Sequence, residues 1–345
     1  MATPTKNDVL SMGKLPGELL AVLLSGLGSG DDSIIVGPGI GRDAAAVRLG
    51  DSILVLKTDP ITFASSGAGR FLINVNANDL ACLGATPKWM LVTAMFPVGT
   101  TQEAIAESFE DIKIASAERG IALVGGHTEI TSSVIRPVLV GMLAGIAEES
   151  RFLRPGGARE GDLLLLSRPI AIEGSALLAS EQPRLLSGLI GPEFVERATN
   201  LLDSPGISVG RHADVALSTG PVHAMHDPTE GGIAMGAREI AEASGLAIEL
   251  DRDAIPVLPE TVEIAGALNL DPLGMLASGS LLVASAPEDA DRLIAAWRES
   301  GSEAAIVGSF VAADRGHALI VDGERQELPV FHLDEVSRVL QELSS

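Results

Sequence analysis

Five short segments hold the residues of this chain whose types and spacing could do chemistry. Gly37-Pro38-Gly39-Ile40-Gly41-Arg42-Asp43 has three glycines, whose backbone N–H groups can converge on an anion, with an acid directly after them. Leu56-Lys57-Thr58-Asp59-Pro60 sets Lys57 and Asp59 two residues apart, on one face of an extended chain. Asn74-Val75-Asn76-Ala77-Asn78-Asp79 puts three asparagines and an aspartate into an otherwise apolar stretch. Asparagine is a poor helix former, and a buried carboxylate is costly unless paired or bound to metal. Gly125-Gly126-His127-Thr128-Glu129 follows an apolar run, and His226-Asp227-Pro228-Thr229-Glu230-Gly231-Gly232 precedes a helix whose start could face an anion. Each segment also has a plainer reading. The glycines can be loop punctuation or a turn, Lys57 and Asp59 an exposed ion pair, and the asparagines a structural network. Cys82, one turn past Asp79, reads as a buried, inert thiol.

Taken together, the segments point to one arrangement. If Asp43, Asp59 and Asp79 converge, each pair at 4 Å repels by about 4 kcal/mol at an effective dielectric near 20. A divalent cation relieves that repulsion, and all-oxygen ligands favour Mg²⁺ or Ca²⁺ over zinc. Mg²⁺ commonly arrives bridged to phosphates, for which the glycine segment supplies donors. The residues thus describe a Mg–nucleotide site without a P-loop; none of the five lysines completes a P-loop pattern. His127, His223 and His226 raise a zinc site as a weaker alternative, because they lack a recognisable ligand spacing.

The elements that must position these residues alternate between helix and strand. Helices are expected over 14–27, 70–83, 100–119, 232–244 and 287–300. Thr100 with Glu103, and Ser285 with Glu288, form candidate capping boxes. Strands are expected over 44–49, 53–59, 89–96, 121–124, 134–146, 162–167, 222–226, 281–284, 307–311 and 318–321. A hairpin is expected at Gly50-Asp51 and a turn at Gly125-Gly126. Gly, Pro and charge cluster over 154–161, which divides the chain into 1–153 and 154–345. The fold class is mixed α/β (α+β), and the hairpins argue against a purely parallel sheet.

Composition narrows the function. The 345 residues are 46% hydrophobic, too apolar for a disordered chain. Lys+Arg 24 against Asp+Glu 46 gives a formal charge of −22, a surface that repels nucleic acid and anionic membrane. One cysteine excludes a disulfide framework and a multi-cysteine metal site. The first residues are polar and no run is long enough to span a bilayer, so a cytoplasmic location is expected.

In combination, Gly39-Ile40-Gly41-Arg42-Asp43-Ala44-Ala45, Thr58-Asp59, Asn78-Asp79-Leu80-Ala81-Cys82-Leu83-Gly84-Ala85, Gly125-Gly126-His127-Thr128 and Asp227-Pro228-Thr229-Glu230-Gly231-Gly232 resemble the aminoimidazole ribonucleotide (AIR) synthase superfamily, and most closely its HypE-like branch. The resemblance implies an N-terminal domain that dimerises through a β-barrel shared between two copies, and a C-terminal α/β domain. It implies ATP and Mg²⁺ as cofactors, a homodimer, and transfer of the γ-phosphate or its use to activate an oxygen of an acceptor. Carried over by motif, Asp43, Asp59 and Asp79 would hold the metal. Gly39, Gly41, Arg42, Lys57, Thr58, Asn78 and Gly126 would line the nucleotide. Asp227, Glu230 and His127 would face the reaction.

Two positions depart from the family pattern, which usually has an acid at Arg42 and an aspartate at His127. The sequence also ends Val339-Leu340-Gln341-Glu342-Leu343-Ser344-Ser345, without the terminal cysteine that HypE proteins use as carbamoyl acceptor. A different acceptor is therefore expected. No cysteine lies near the start, which disfavours selenophosphate synthesis. The alternatives are a thiamine-monophosphate kinase and a non-catalytic, nucleotide-binding regulatory protein.

Overall fold

Burial alternates along Ser52–Ile61 and through the second half of Thr86–Pro97, which marks both as strands with one face on the core. The computed structural model describes residues 10, 15–27, 30–42, 44–62 and 67–344. Asp43 lies outside the described residues. In chain order the N-terminal half is α1 (Gly17–Leu24), β1 (Ile34–Val36), β2 (Ala45–Leu49), β3 (Ser52–Ile61), α2 (Ala68–Cys82), β4 (Thr86–Pro97), α3 (Gln102–Glu118), β5 (Ala122–Thr131) and β6 (Val138–Ala147). The C-terminal half continues with β7 (Leu163–Leu166), α4 (Ile172–Glu181), α5 (Pro183–Ile190), α6 (Pro192–Asn200), α7 (Gly210–Thr219), β8 (Ala224–His226), α8 (Gly232–Ala243), β9 (Leu246–Asp251), α9 (Pro259–Leu268), β10 (Leu282–Ser285), α10 (Pro287–Glu299), β11 (Ala305–Ala312), β12 (Ala318–Val321), β13 (Glu324–Glu327) and α11 (Glu335–Ser344).

Two mixed sheets result, ordered β1-β2-β3-β6-β4-β5 and β13-β12-β9-β11-β7-β10-β8. Helix α2 lies between them. Its buried apolar residues pack on the first sheet, and one core cluster runs through Leu72, Leu80 and Met90 into Leu165, Val209, Val283 and Trp297 of the C-terminal half. The two halves therefore share a core, which fixes the cleft between them.

The asparagines of α2 keep this buried helix soluble in its own surroundings. Asn74 Nδ2 donates to Arg70 O at 2.9 Å and Asn76 Nδ2 to Leu72 O at 2.8 Å. Asn76 Oδ1 accepts from Asp59 N at 3.1 Å. Asn78 reaches into the C-terminal half, donating to Ile207 O at 2.8 Å and accepting from Val209 N at 2.9 Å. The plainer reading of the asparagines is thus correct for their amides: they satisfy buried backbone and tie β3 and residues 207–209 to α2.

Three local expectations need correction. Gly125 and Gly126 make no turn. Strand β5 runs straight through them, with a register shift against β4 at Met90/Leu91. The glycines are there because β5 lies close on β4: a Cβ on Gly126 would sit 1.8 Å from Val92 O. Helix α3 is capped by Thr101, whose hydroxyl accepts from Ala104 N at 3.2 Å, not by Thr100. Helix α10 starts after Ala286 with no side-chain cap.

Candidate functional site

Strand β3 and helix α2 bring the first two acids together. Lys57 and Asp59 share a face of β3 as their spacing requires, and α2 lays Asp79 against that face. Lys57 Nζ stands 3.0 Å from Asp59 Oδ2 and 2.7 Å from Asp79 Oδ2. Asp79 is 5% exposed, and the Lys57 and Asp59 side chains are 10% and 31% exposed. The convergence predicted for Asp59 and Asp79 is therefore present, and an ammonium stands at its centre. Two carboxylates around one ammonium leave a net negative charge, which still attracts a cation.

The glycine segment lies across the cleft from α2. Gly41 has φ 68° and a Cβ there would meet Ala243 at 3.6 Å, so the loop rests on α8. Arg42 folds back over the loop, with Nη1 3.3 Å from Gly37 O, and its guanidinium covers Gly39. A cavity of about 40 Å³ between the halves is lined by Gly41, Asp79, Cys82, His226 and Glu239. Three of the five sequence segments meet around it. His226 Nε2 lies 2.9 Å from Glu239 Oε2. Cys82 Sγ donates to Asp227 Oδ1 at 3.6 Å, which joins α2 to the loop after β8. Thr58 is exposed on β3, beside Lys57 and Asp59.

That loop carries a carboxyl cluster which sequence reasoning only half found. Asp227 is 1% exposed, and Glu230 is exposed. Asp334, at the start of α11, accepts from Gly231 N at 2.9 Å and from Val336 N at 2.8 Å. Burial raises its pKa to about 7 against the pull of those N–H groups. Glu173 on α4 is 7% exposed, and its pKa is also raised to about 7. Burial is the main cause, opposed by the Ser278 hydroxyl and reinforced by Glu230, Asp334 and Asp227. Glu173 had a signal in the sequence, as the single charge in the apolar run 169–179. Asp334 had none.

Gly126 and His127 are placed elsewhere. They lie on β5, three strand spacings from β3, or about 14 Å within one sheet. Every residue of β5 but Thr131 is exposed, and His127 Nε2 is 3.4 Å from Glu129 Oε2. The three histidines do not gather: His223 Nδ1 meets Asp162 Oδ2 at 2.7 Å and His226 meets Glu239. Among the described residues no three ligating side chains form a metal cluster. Asp59 and Asp79 nevertheless suit Mg²⁺, which takes one or two carboxylates and completes its octahedron with water and phosphate. Both oxygens already reach a common cation, the Lys57 ammonium.

The chain is similar to known proteins over most of its length. Residues 41–147 match the family model described as AIR synthase related protein, N-terminal domain, and residues 159–321 the corresponding C-terminal domain. The chain is 29% identical over 284 residues to the carbamoyl dehydratase HypE of Rhizobium leguminosarum bv. viciae, covering 79% of this chain and 78% of that one. It is 27% identical over 319 residues to a selenide, water dikinase of Pelobacter propionicus, covering 81% and 86%. A crystal structure of a hydrogenase maturation protein HypE in complex with ATP superposes with a TM-score of 0.71 at 24% identity, covering 86% of this chain and 90% of that one. Among the described residues no helix is long and apolar enough to cross a membrane.

Proposed function

The chain belongs to the AIR synthase related family, close to its HypE-like members and thus among enzymes that use ATP, and from that premise we propose that it binds Mg–ATP between its halves and transfers the γ-phosphoryl group, or uses it to activate an oxygen, on an acceptor held by the C-terminal half. The supporting observation is the meeting of Asp59 and Asp79 on Lys57, beside the cleft bounded by the glycine loop.

Asp59, Asp79 and Asp43 would hold Mg²⁺, which when bound neutralises charge on the transferring phosphoryl group. The chain's own residues do the rest. The backbone of Gly39 and Gly41 would line the phosphates, with Arg42 and Thr58 beside them. Lys57 would offer a compact positive charge to the phosphate oxygens. Asn78 fixes α2 to residues 207–209 and so holds Asp79 in place. Asp227 and Glu230 face the acceptor from the loop before α8. The division at 153/154 puts nucleotide binding in the first part and acceptor binding in the second.

The expected result is Mg²⁺-dependent thermal stabilisation by ATP. Asp79→Asn should abolish the Mg²⁺ dependence and weaken ATP at least tenfold, about 1.4 kcal/mol. Unchanged affinity and Mg²⁺ dependence in that variant would sink the metal role. ADP release on adding acceptors separates an enzyme from a nucleotide-binding regulator, and thiamine monophosphate tests the kinase alternative.

We also propose a homodimer through β5. This ten-residue strand stands last in its sheet, with an exposed row of backbone groups. On β5 Val124 is 57% exposed and Ile130 56%, and on the neighbouring β4 Trp89 is 46% and Leu91 39% exposed. In light scattering the wild type should be dimeric at micromolar concentration, and Ile130→Asp should raise the dimer dissociation constant at least tenfold. A monomeric wild type overturns the dimer.

A further inference from the structure

In this strongly acidic chain, arginines as a rule lie against carboxylates. Arg48, Arg151, Arg197, Arg292, Arg315 and Arg338 each hold one at 2.6 to 3.0 Å. Four other arginines gather beside α2, and three of them depart from the rule. Arg70 starts α2, Arg119 ends α3, Arg168 follows β7 and Arg211 starts α7. Arg70 pairs with the exposed Asp203. Among the described residues no carboxylate lies within 4.0 Å of Arg119, Arg168 or Arg211.

Arg168 lies in the field of Arg119 and Arg211, and Arg119 in that of Glu118 and then of Arg70. Burial first, and then those two arginines, brings the Arg168 pKa down to about 10. The same field reaches buried His212, held neutral with a pKa near 3 by burial and then by Arg168 and Arg211.

Local rules are broken at the same place. Helices α2 and α7 both begin without a side-chain cap or an acid in the first turn. Each carries an arginine there, where the helix dipole favours the opposite charge. Hydrogen bonds orient the guanidiniums without neutralising them. Arg119 Nε donates to Asn74 Oδ1 at 3.0 Å, and Arg168 Nη1 to Gly206 O at 2.9 Å. Local positive charge that the protein itself leaves uncompensated is what an oxyanion site requires.

We propose that this crease between α2, the end of α3 and the start of α7 binds a phosphate group, carried by the acceptor. Asn74 and Asn78 face the crease, and Asp79 is the residue after Asn78. Consecutive positions on a helix point about 100° apart, so the crease at Asn78 and the cleft at Asp79 lie on neighbouring faces of α2. That the anion belongs to the acceptor rests on the nucleotide reading above; the anion site does not.

The test is calorimetric titration of inorganic phosphate into wild type, Arg119→Gln, Arg211→Gln and, as control, Arg315→Gln, at constant ionic strength. The titrations are repeated with saturating Mg²⁺ and a non-hydrolysable ATP analogue. Arg211 is exposed, so its variant keeps the fold intact. Phosphate should bind wild type and control alike and bind both crease variants at least tenfold more weakly, with the analogue leaving the wild-type value unchanged. Three results overturn the site: no phosphate binding, equal binding by all four proteins, or loss of phosphate binding on adding the analogue. Phosphate binding without analogue binding would keep the crease and remove the nucleotide reading.

Discussion

Lys57→Met is expected to destabilise the metal-free protein by about 3–5 kcal/mol, and millimolar Mg²⁺ to recover a large part of that loss. Methionine keeps the length and apolar stem of lysine but removes the ammonium from between Asp59 and Asp79. Asp79, at 5% exposure, then has to keep a buried negative charge near a second carboxylate. Removing one partner of a buried ion pair costs several kcal/mol because the other remains desolvated. Asp59 is more exposed and contributes the smaller share. The double variant Lys57→Met/Asp79→Asn removes the stranded charge, so it should regain most of the loss and lose its response to Mg²⁺.

Urea unfolding with and without Mg²⁺ measures both effects. A loss below about 1 kcal/mol would mean that water reaches these carboxylates, as at a surface ion pair. A full loss that Mg²⁺ does not relieve would mean that the two acids serve the ammonium alone. Phosphoryl transfer at Asp59 and Asp79 would then have no support. The experiment thus separates the two cations that the same pair of acids can accommodate.

What the sequence made legible follows physical range. The sequence reading placed α2 at 70–83 against Ala68–Cys82, and α8 at 232–244 against Gly232–Ala243. Helix periodicity, flanking glycines and strand alternation are local, and they served. The meeting of Asp59 and Asp79 was legible too, because two carboxylates in apolar surroundings need a shared solution. That Lys57 supplies it was not, since Lys57 and Asp59 also read as an ordinary exposed pair. Gly125-Gly126 misled because a glycine required by close strand packing looks in sequence like a turn. The arginines beside α2 could not be found from the sequence at all. They come from four elements, spread over residues 70–211, and only the fold shows that among the described residues no carboxylate lies within 4.0 Å of three of them.

Glu173→Gln is expected to stabilise the protein at pH 8 by roughly 3 kcal/mol and to leave it nearly unchanged at pH 4. Burial lifts the Glu173 pKa from the usual 4.5 to about 7. Between those values the folded form holds a proton that the unfolded form has released. Its contribution to stability is complete below about 4.5 and is lost as pH rises through about 7. At about 1.36 kcal/mol per pH unit, the full loss is roughly 3 kcal/mol. Glutamine copies the protonated carboxyl in size and never has to ionise. The difference between variant and wild type should therefore climb from pH 4.5 and level off above 7. His212, neutral in the folded protein with a pKa near 3, loses stability in the opposite direction, as pH falls below 6.5. It is common to both proteins and cancels from the difference. Asp334 carries the same sign as Glu173 and also stays in both, so the variant keeps part of the alkaline decline. A flat difference curve would mean that Glu173 titrates in the folded protein as it does in the unfolded chain, and is ionised above about 4.5. The loop holding Asp227 and Glu230 would then face one more negative charge, and a cationic group would have to accompany any acceptor that approaches it.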